Sequence, residues 1–352
     1  MVDGLARRVI ARGDRILDVL LLSGGGQHGA YGIGFLRGWR NRTDNAMPRF
    51  DLVTGISTGA LQAPLVFLGT EESLGRASDL YRMAVDKFAP TFDWLFWLRR
   101  TGGLVDTSRF RRMIETVFDE TLCRQLQSEF QAGRQLAVAT ADFDLGIGRI
   151  WDLARESDCS AASLKRVHNL FLATTALPGI FPPLIIDGHV HGDGGVVANL
   201  LPLLDLDGYR RLAERLRALE VKGPVTVRLW VVMNLWTHPT PVVMDPADRD
   251  AIAQRGSLLL FWAQQSQILQ RLAELSRAVS KDVAGLQMEM RYTAVPSELS
   301  SEPGAAALFD QAWMQRLEQL GYDRARSASP WDKIGSPYER PAPSPRRGNE
   351  PQ

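Results

Sequence analysis

The chain has 352 residues, 45% of them hydrophobic, with 41 basic and 40 acidic side chains and a formal net charge of +1. That composition excludes a disordered or fibrous chain, and the near balance of charge excludes a global field directed at nucleic acid or at strongly anionic membranes. Two cysteines, Cys123 and Cys159, are too few for a disulfide framework and form no metal or redox spacing, so both read as buried or idle thiols.

Residues 1–14 read as an N-terminal extension. Arg7, Arg8, Arg12 and Asp14 interrupt it, so it lacks a signal-peptide apolar stretch, and the run Val19 to Leu22 is far too short to span a bilayer. The expected location is cytoplasmic or peripheral to a membrane, with secretion requiring a leader outside this sequence. A buried strand is predicted over 16–22, a helix over 29–42, a short strand over 50–54 and a helix over 57–67. Helical periodicity follows at 109–118 and 122–131, then strands at 135–141 and 149–153. A helix over 163–177 stops at Pro178, and short strands at 184–186 and 189–191 flank the Asp187-Gly188 turn. A helix over 203–219, a strand over 225–235, a long helix over 247–279, a strand over 287–295 and a helix over 305–320 complete the pattern. Strands alternating with helices predict an α/β fold, a three-layer α/β/α sandwich with a mostly parallel central sheet, as one domain over 15–321. From 322 onward prolines, arginines and serines dominate, and the tail 322–352 reads as disordered.

The first strand runs into Gly24-Gly25-Gly26-Gln27-His28-Gly29. Gly24, Gly26 and Gly29 satisfy G-x-G-x-x-G, a dinucleotide pattern, yet such a turn presents backbone N–H groups that hold a transient oxyanion equally well. A dinucleotide site wants an acid at the end of the second strand. Asp44 lies near the required distance but in a polar loop, and the second strand ends instead in Gly55-Ile56-Ser57-Thr58-Gly59. G-x-S-x-G between a strand and a helix is the pattern of a nucleophile elbow, with Ser57 exposed on a sharp turn; the plain alternative is a Ser/Gly helix entry without chemistry.

A serine nucleophile needs a base. Of the five histidines, only His238 comes late enough for the order Ser, acid, His, and it sits in a Pro/Thr loop. Asp193-Gly194-Gly195 offers a better candidate, a carboxylate on a tight turn. His189-Val190-His191-Gly192-Asp193 also fits H-x-H-x-D, the beginning of a binuclear metal site, but Gly194 stands where a further histidine is needed, so no metal and no cofactor are expected.

Taken together, the oxyanion-type loop from Gly24 to Gly29, the elbow from Gly55 to Gly59, the segment "ATTALPGIFPP" from Ala173 to Pro183, and Asp193-Gly194-Gly195 with Asn199 and Pro202 resemble the patatin-like acyl hydrolases. The likeness spans about 17–202. It implies a Ser-Asp dyad of Ser57 and Asp193 and an oxyanion hole from the N–H groups of Gly25 and Gly26. Gly24, Gly29, Gly55, Gly59, Gly194 and Gly195 would shape the turns. The implied substrate is a lipid or phospholipid ester, cleaved as by a phospholipase A or lysophospholipase. His28 stands where many members carry Arg or Lys, and Thr174 and Thr175 where serine is usual. The alternatives are a catalytically silent binding protein of the same fold and, behind it, a dinucleotide-binding protein. The stretch 88–100 is aromatic and ends in Arg99 and Arg100. Phe92, Trp94, Phe96 and Trp97 fit peripheral membrane contact and core packing equally well. No nucleic-acid partner is expected, and the pattern sets no oligomeric state.

Overall fold

Burial is continuous from Leu17 to Leu22 of the first strand, β1 (Ile16–Leu22), and the side chains alternate between faces: Leu17, Val19 and Leu21 enter one hydrophobic cluster, Leu20 and Leu22 the other. A strand buried on both faces belongs in the middle of a sheet covered by helices on each side. In this computed structural model, which describes residues 1–44, 46–82, 91–92 and 102–334, β1 has that position. The strands that follow are β2 (Leu52–Ile56), β3 (Thr91–Phe92), β4 (Val105–Asp106), β5 (Gln135–Asp142), β6 (Ile147–Asp152), β7 (Leu184–Ile186), β8 (His189–Asp193), β9 (Val225–Met233) and β10 (Leu286–Ala294). Among the described residues, one sheet has the order β10-β9-β1-β2-β5-β8-β7, with β6 also paired to β5, while β3 and β4 form a separate small ladder.

From β10 to β5 every neighbouring pair is parallel, as expected for an α/β fold; β6, β7 and β8 join antiparallel. One cluster packs Val2–Arg12, Leu206–Ala218 and much of Arg249–Asp282 on one face. The other packs Gly29–Arg40, Thr58–Leu68, Glu71–Arg82 and Gln311–Arg326 on the opposite face. The molecule is therefore a mixed α/β structure with a helix-covered central sheet.

Ordered packing extends beyond 15–321 at both ends. Val2–Arg12 is a helix: Leu5, Ala6 and Val9 are buried, and Arg8 and Arg12 pair with the buried carboxylates of Asp51 and Asp18. The helix Gln311–Arg326 runs past 322, Trp331 packs on Phe35, Trp39 and Trp230, and Asp332 donates its N–H to Tyr292 O at 2.8 Å. Proline content hid that aromatic anchor. The cysteines are likewise not idle thiols: Cys123 and Cys159 form a disulfide, because folding brings the helix Glu120–Gln131 to the turn before Ala161–Thr174. The helix Glu71–Arg82 has no counterpart in the sequence expectations. Trp94, Phe96, Trp97, Arg99 and Arg100 lie outside the described residues, as does the side chain of Phe92. Among the described residues, no helix is long and apolar enough to cross a membrane.

Candidate active site

The register of β5 assembles the site. β2 runs parallel to β5 and ends with Ile56 opposite Ala139; β8 runs antiparallel and ends with Asp193 opposite Thr140, the next residue. Both partners lie on the edge of β5 that faces away from β6, since Ala139 and Thr140 pair with Ile150 and Arg149 on the other edge. The two strand ends therefore meet, and Ser57, one residue past β2, is delivered to Asp193.

Ser57 turns the chain between β2 and the helix Thr58–Leu68 with φ 52 and ψ −123. A non-glycine residue takes a positive φ only when its surroundings hold it there. Here the Ser57 N–H donates to Thr174 Oγ1 at 3.1 Å, and the Thr174 hydroxyl in turn donates to Ala139 O at 2.6 Å. The Ser57 carbonyl accepts the N–H groups of Ala60 and Leu61. Gly55 and Gly59 make the sharp turn sterically possible: a Cβ at Gly55 would lie 2.4 Å from Gly59 O, and one at Gly59 would lie 2.5 Å from Leu22 O.

The Ser57 hydroxyl donates to Asp193 Oδ2 at 2.7 Å. Oδ1 of the same carboxyl accepts the Gly195 N–H at 2.8 Å, and the Asp193 N–H is tied to Ala176 O at 2.9 Å. Burial pushes the Asp193 carboxyl up to about 6, against the opposing pull of the hydrogen bonds from Ser57 and Gly195. A hydroxyl donating to such a carboxylate has a defined path for its proton.

The glycine loop beside them is clamped from two sides. The Gly24 N–H donates to Asn199 Oδ1 at 2.9 Å, and Asn199 Nδ2 is held by Gln265 Oε1 at 2.8 Å. Asn234, at the end of β9, binds Ser23 through both its N–H and its Nδ2, at 2.8 and 2.7 Å. A Cβ at Gly25 would lie 1.9 Å from Asn234 O, so the loop can approach this strand end only as glycine. His28 Nδ1 lies 2.9 Å from Gly25 O. A carbonyl only accepts, so Nδ1 carries the proton. Burial holds the His28 imidazole below its ordinary pKa, and its ring packs edge-on against Trp236. A neutral histidine thus ties the loop. Among the described residues no internal acceptor takes the N–H groups of Gly25 and Gly26.

Gly24, Gly25, Gly26, Ser57, Asp193 and Gly195 all open on one cavity of about 730 Å³ whose walls are largely apolar. Gly29 and Gly194 stand behind it, where a Cβ would meet Tyr81 OH at 2.2 Å and Ala139 O at 2.6 Å. His238 is not brought to the pair; its Nδ1 contacts Thr237 Oγ1 at 3.0 Å. Asp44 forms an exposed ion pair with Arg42, away from the glycine loop. Asp142, Asp144 and His189 place potential ligand atoms within 4.8 Å of one another. Their polar atoms nonetheless have protein partners: Asp142 Oδ2 meets His189 Nδ1 at 2.9 Å and Arg149 at 3.3 Å, and Asp144 accepts the Val190 N–H at 2.7 Å. His191 contacts Thr140 Oγ1 through Nδ1 at 2.9 Å.

Sequence reasoning overlooked the supporting roles of Thr174, Asn234 and Gln265. Asn234 left a usable signal, a polar residue directly after the apolar run Leu229–Met233; Gln265, on a long helix of mixed polarity, left none.

A model of the patatin-like phospholipase family matches residues 20–207, the stretch that holds the glycine loop, the elbow and the Asp193 turn. No curated protein matches the chain. Among solved structures, VipD from Legionella pneumophila is similar at 12% identity with a TM-score of 0.39. The alignment covers 88% of this chain and 66% of that one, just under two thirds of its length.

Proposed function

The chain belongs to the patatin-like phospholipase family, and from that premise we propose that it cleaves carboxylic esters of lipids through an acyl intermediate on Ser57, with Asp193 as general base. Lipid acyl hydrolysis is the activity of the family; the residue roles and the phospholipase A or lysophospholipase type are our reading. The observation that carries it is the 2.7 Å hydrogen bond from the Ser57 hydroxyl to the buried Asp193 carboxylate inside an apolar cavity.

In this mechanism Ser57 Oγ attacks the ester carbonyl while Asp193 Oδ2 takes its proton. The carbonyl oxygen becomes an oxyanion and accepts the N–H groups of Gly25 and Gly26. Collapse expels the alcohol, which regains the proton from Asp193. A water molecule then attacks the acyl-serine, gives its proton to Asp193, and the acid leaves as Ser57 is reprotonated. An aspartate at its ordinary pKa is a weak base at neutral pH; burial narrows that gap.

The Cys123–Cys159 bridge supports an oxidising compartment over the cytoplasm. Exposed apolar side chains on the cavity wall, Val242, Leu258 and Leu260 among them, support contact with the lipid phase that holds the substrate.

Labelling with a fluorophosphonate tests the proposal. The wild-type protein is expected to be modified at Ser57 and to hydrolyse short-chain p-nitrophenyl esters; no label and no turnover in a folded protein would identify a silent binding protein of this fold.

A further inference from the structure

Two side chains lining the catalytic cavity carry formal charge among the described residues: Asp193 and Arg255. Asp193 is accounted for by its bond to Ser57. Arg255 is not. It projects from the helix Arg249–Asp282 next to Leu258, Leu260 and Trp262, which line the same cavity. Its Nη2 donates to Thr240 O at 2.8 Å, and among the described residues no carboxylate pairs with it.

That backbone contact uses one of five guanidinium donors and leaves the positive charge uncompensated. Arg255 is half-buried beside the exposed Leu258 and Leu260, so it would act on an anion through direct guanidinium contact at the cavity wall. The planar guanidinium also suits two-point recognition of a phosphate or carboxylate. The surroundings add neutral donors: Ser300 and Ser301 line the cavity, and Ser300 Oγ is 2.8 Å from both the N and the Oγ1 of Thr240, the residue that anchors Arg255. Arg255, Thr240 and Ser300 thus make a polar patch in a cavity that is otherwise mostly apolar.

We propose that Arg255 sets substrate specificity by holding an anionic oxygen group of the ester substrate while the acyl chain lies on the apolar walls and the ester carbon reaches Ser57. The inference rests on the hydrolase reading above and narrows it, since a cavity without this cation would accept neutral and anionic lipid esters alike. The shared chemistry is an oxyanion, phosphate or carboxylate, on the part of the substrate away from the acyl chain.

The experiment compares kcat and KM for 1-oleoylglycerol, its 3-phosphate and the oleoyl ester of glyceric acid, in the wild type, R255Q and R255K. Wild-type enzyme is expected to prefer an anionic ester over the neutral one, chiefly through KM. In R255Q the anionic-to-neutral ratio of kcat/KM should fall by about 10- to 100-fold, the worth of a charge-assisted hydrogen bond, with partial recovery in R255K. Whichever anionic ester loses more identifies the group as phosphate or carboxylate. An unchanged ratio, a wild-type preference for the neutral ester, or an equal loss on all three esters overturns the proposal, the last marking Arg255 as a tie to Thr240 only. No turnover of any ester, with no fluorophosphonate label on Ser57, instead overturns the hydrolase reading itself.

Discussion

Ser57 and Asp193 are 136 residues apart in sequence, yet the hydroxyl of one donates to the carboxylate of the other at 2.7 Å because two strands end at adjacent positions of β5. The geometry needs no induced movement. If it is the catalytic pair, S57A should abolish turnover and fluorophosphonate labelling, and D193N should lower kcat for a soluble ester by about 10²- to 10⁴-fold, the usual worth of a positioned base. Both variants should unfold cooperatively. A D193N enzyme retaining wild-type kcat would remove Asp193 from the mechanism.

The buried carboxyl also dictates a pH dependence. Asp193 must be ionised to accept the Ser57 proton, so kcat/KM for a soluble ester should rise with pH through about 6 and level off above it. Stability runs in the opposite sense. The folded pKa is raised, so the group's contribution is complete below the unfolded value near 4 and is lost as pH climbs through about 6. Ionisation of this carboxyl costs the native state about 3 kcal/mol at high pH. Urea unfolding should therefore show D193N gaining stability relative to wild type by roughly that amount between pH 4 and pH 8.

What the sequence disclosed follows from which interactions are local. Buried apolar runs placed β1 and β9, and the glycines flanking Ser57 and following Asp193 mark backbone that a side chain would obstruct. The register that joins Ile56 and Asp193 through β5 is non-local, and no spacing encodes it. The helix Val2–Arg12 escaped notice because its apolar face is narrow, with Leu5, Ala6 and Val9 buried; of its arginines' partners, Asp18 lies on β1 six residues past Arg12, whereas Asp51, just before β2, is remote in sequence. Disulfide formation depends on the 5.7 Å Cα separation of Cys123 and Cys159 in space, which a count of two cysteines does not convey.

Thr174 gives a sharper test of the elbow than Ser57 and Asp193 do. It is fully buried, accepts the Ser57 N–H and donates to Ala139 O, so it links the strained residue to β5. T174V preserves shape but strands one donor and one acceptor, and should cost about 1–3 kcal/mol per unsatisfied group in denaturant unfolding. T174S keeps the hydroxyl and should label with a fluorophosphonate at close to the wild-type rate, while T174V labels more slowly. Equal labelling rates in the two variants would show that Ser57 holds its conformation without this link.

The Cys123–Cys159 bond closes a loop across a sequence separation of 36, which includes β5, β6 and the turn leading into Ala161–Thr174. Closing such a loop removes conformational freedom from the unfolded chain, an effect worth about 2–4 kcal/mol in the chain-entropy account. The double variant C123S/C159S should therefore unfold at lower denaturant with little change in native-state contacts. Its loss should match that of reduced wild-type protein, since both lack the same cross-link. The helix that follows the bridge ends at Thr174, so the reduced protein should also label at Ser57 more slowly as denaturant is raised, before global unfolding begins. Free-thiol titration that finds two reactive cysteines in the native protein, purified without reductant, would remove the bridge and the stability difference with it.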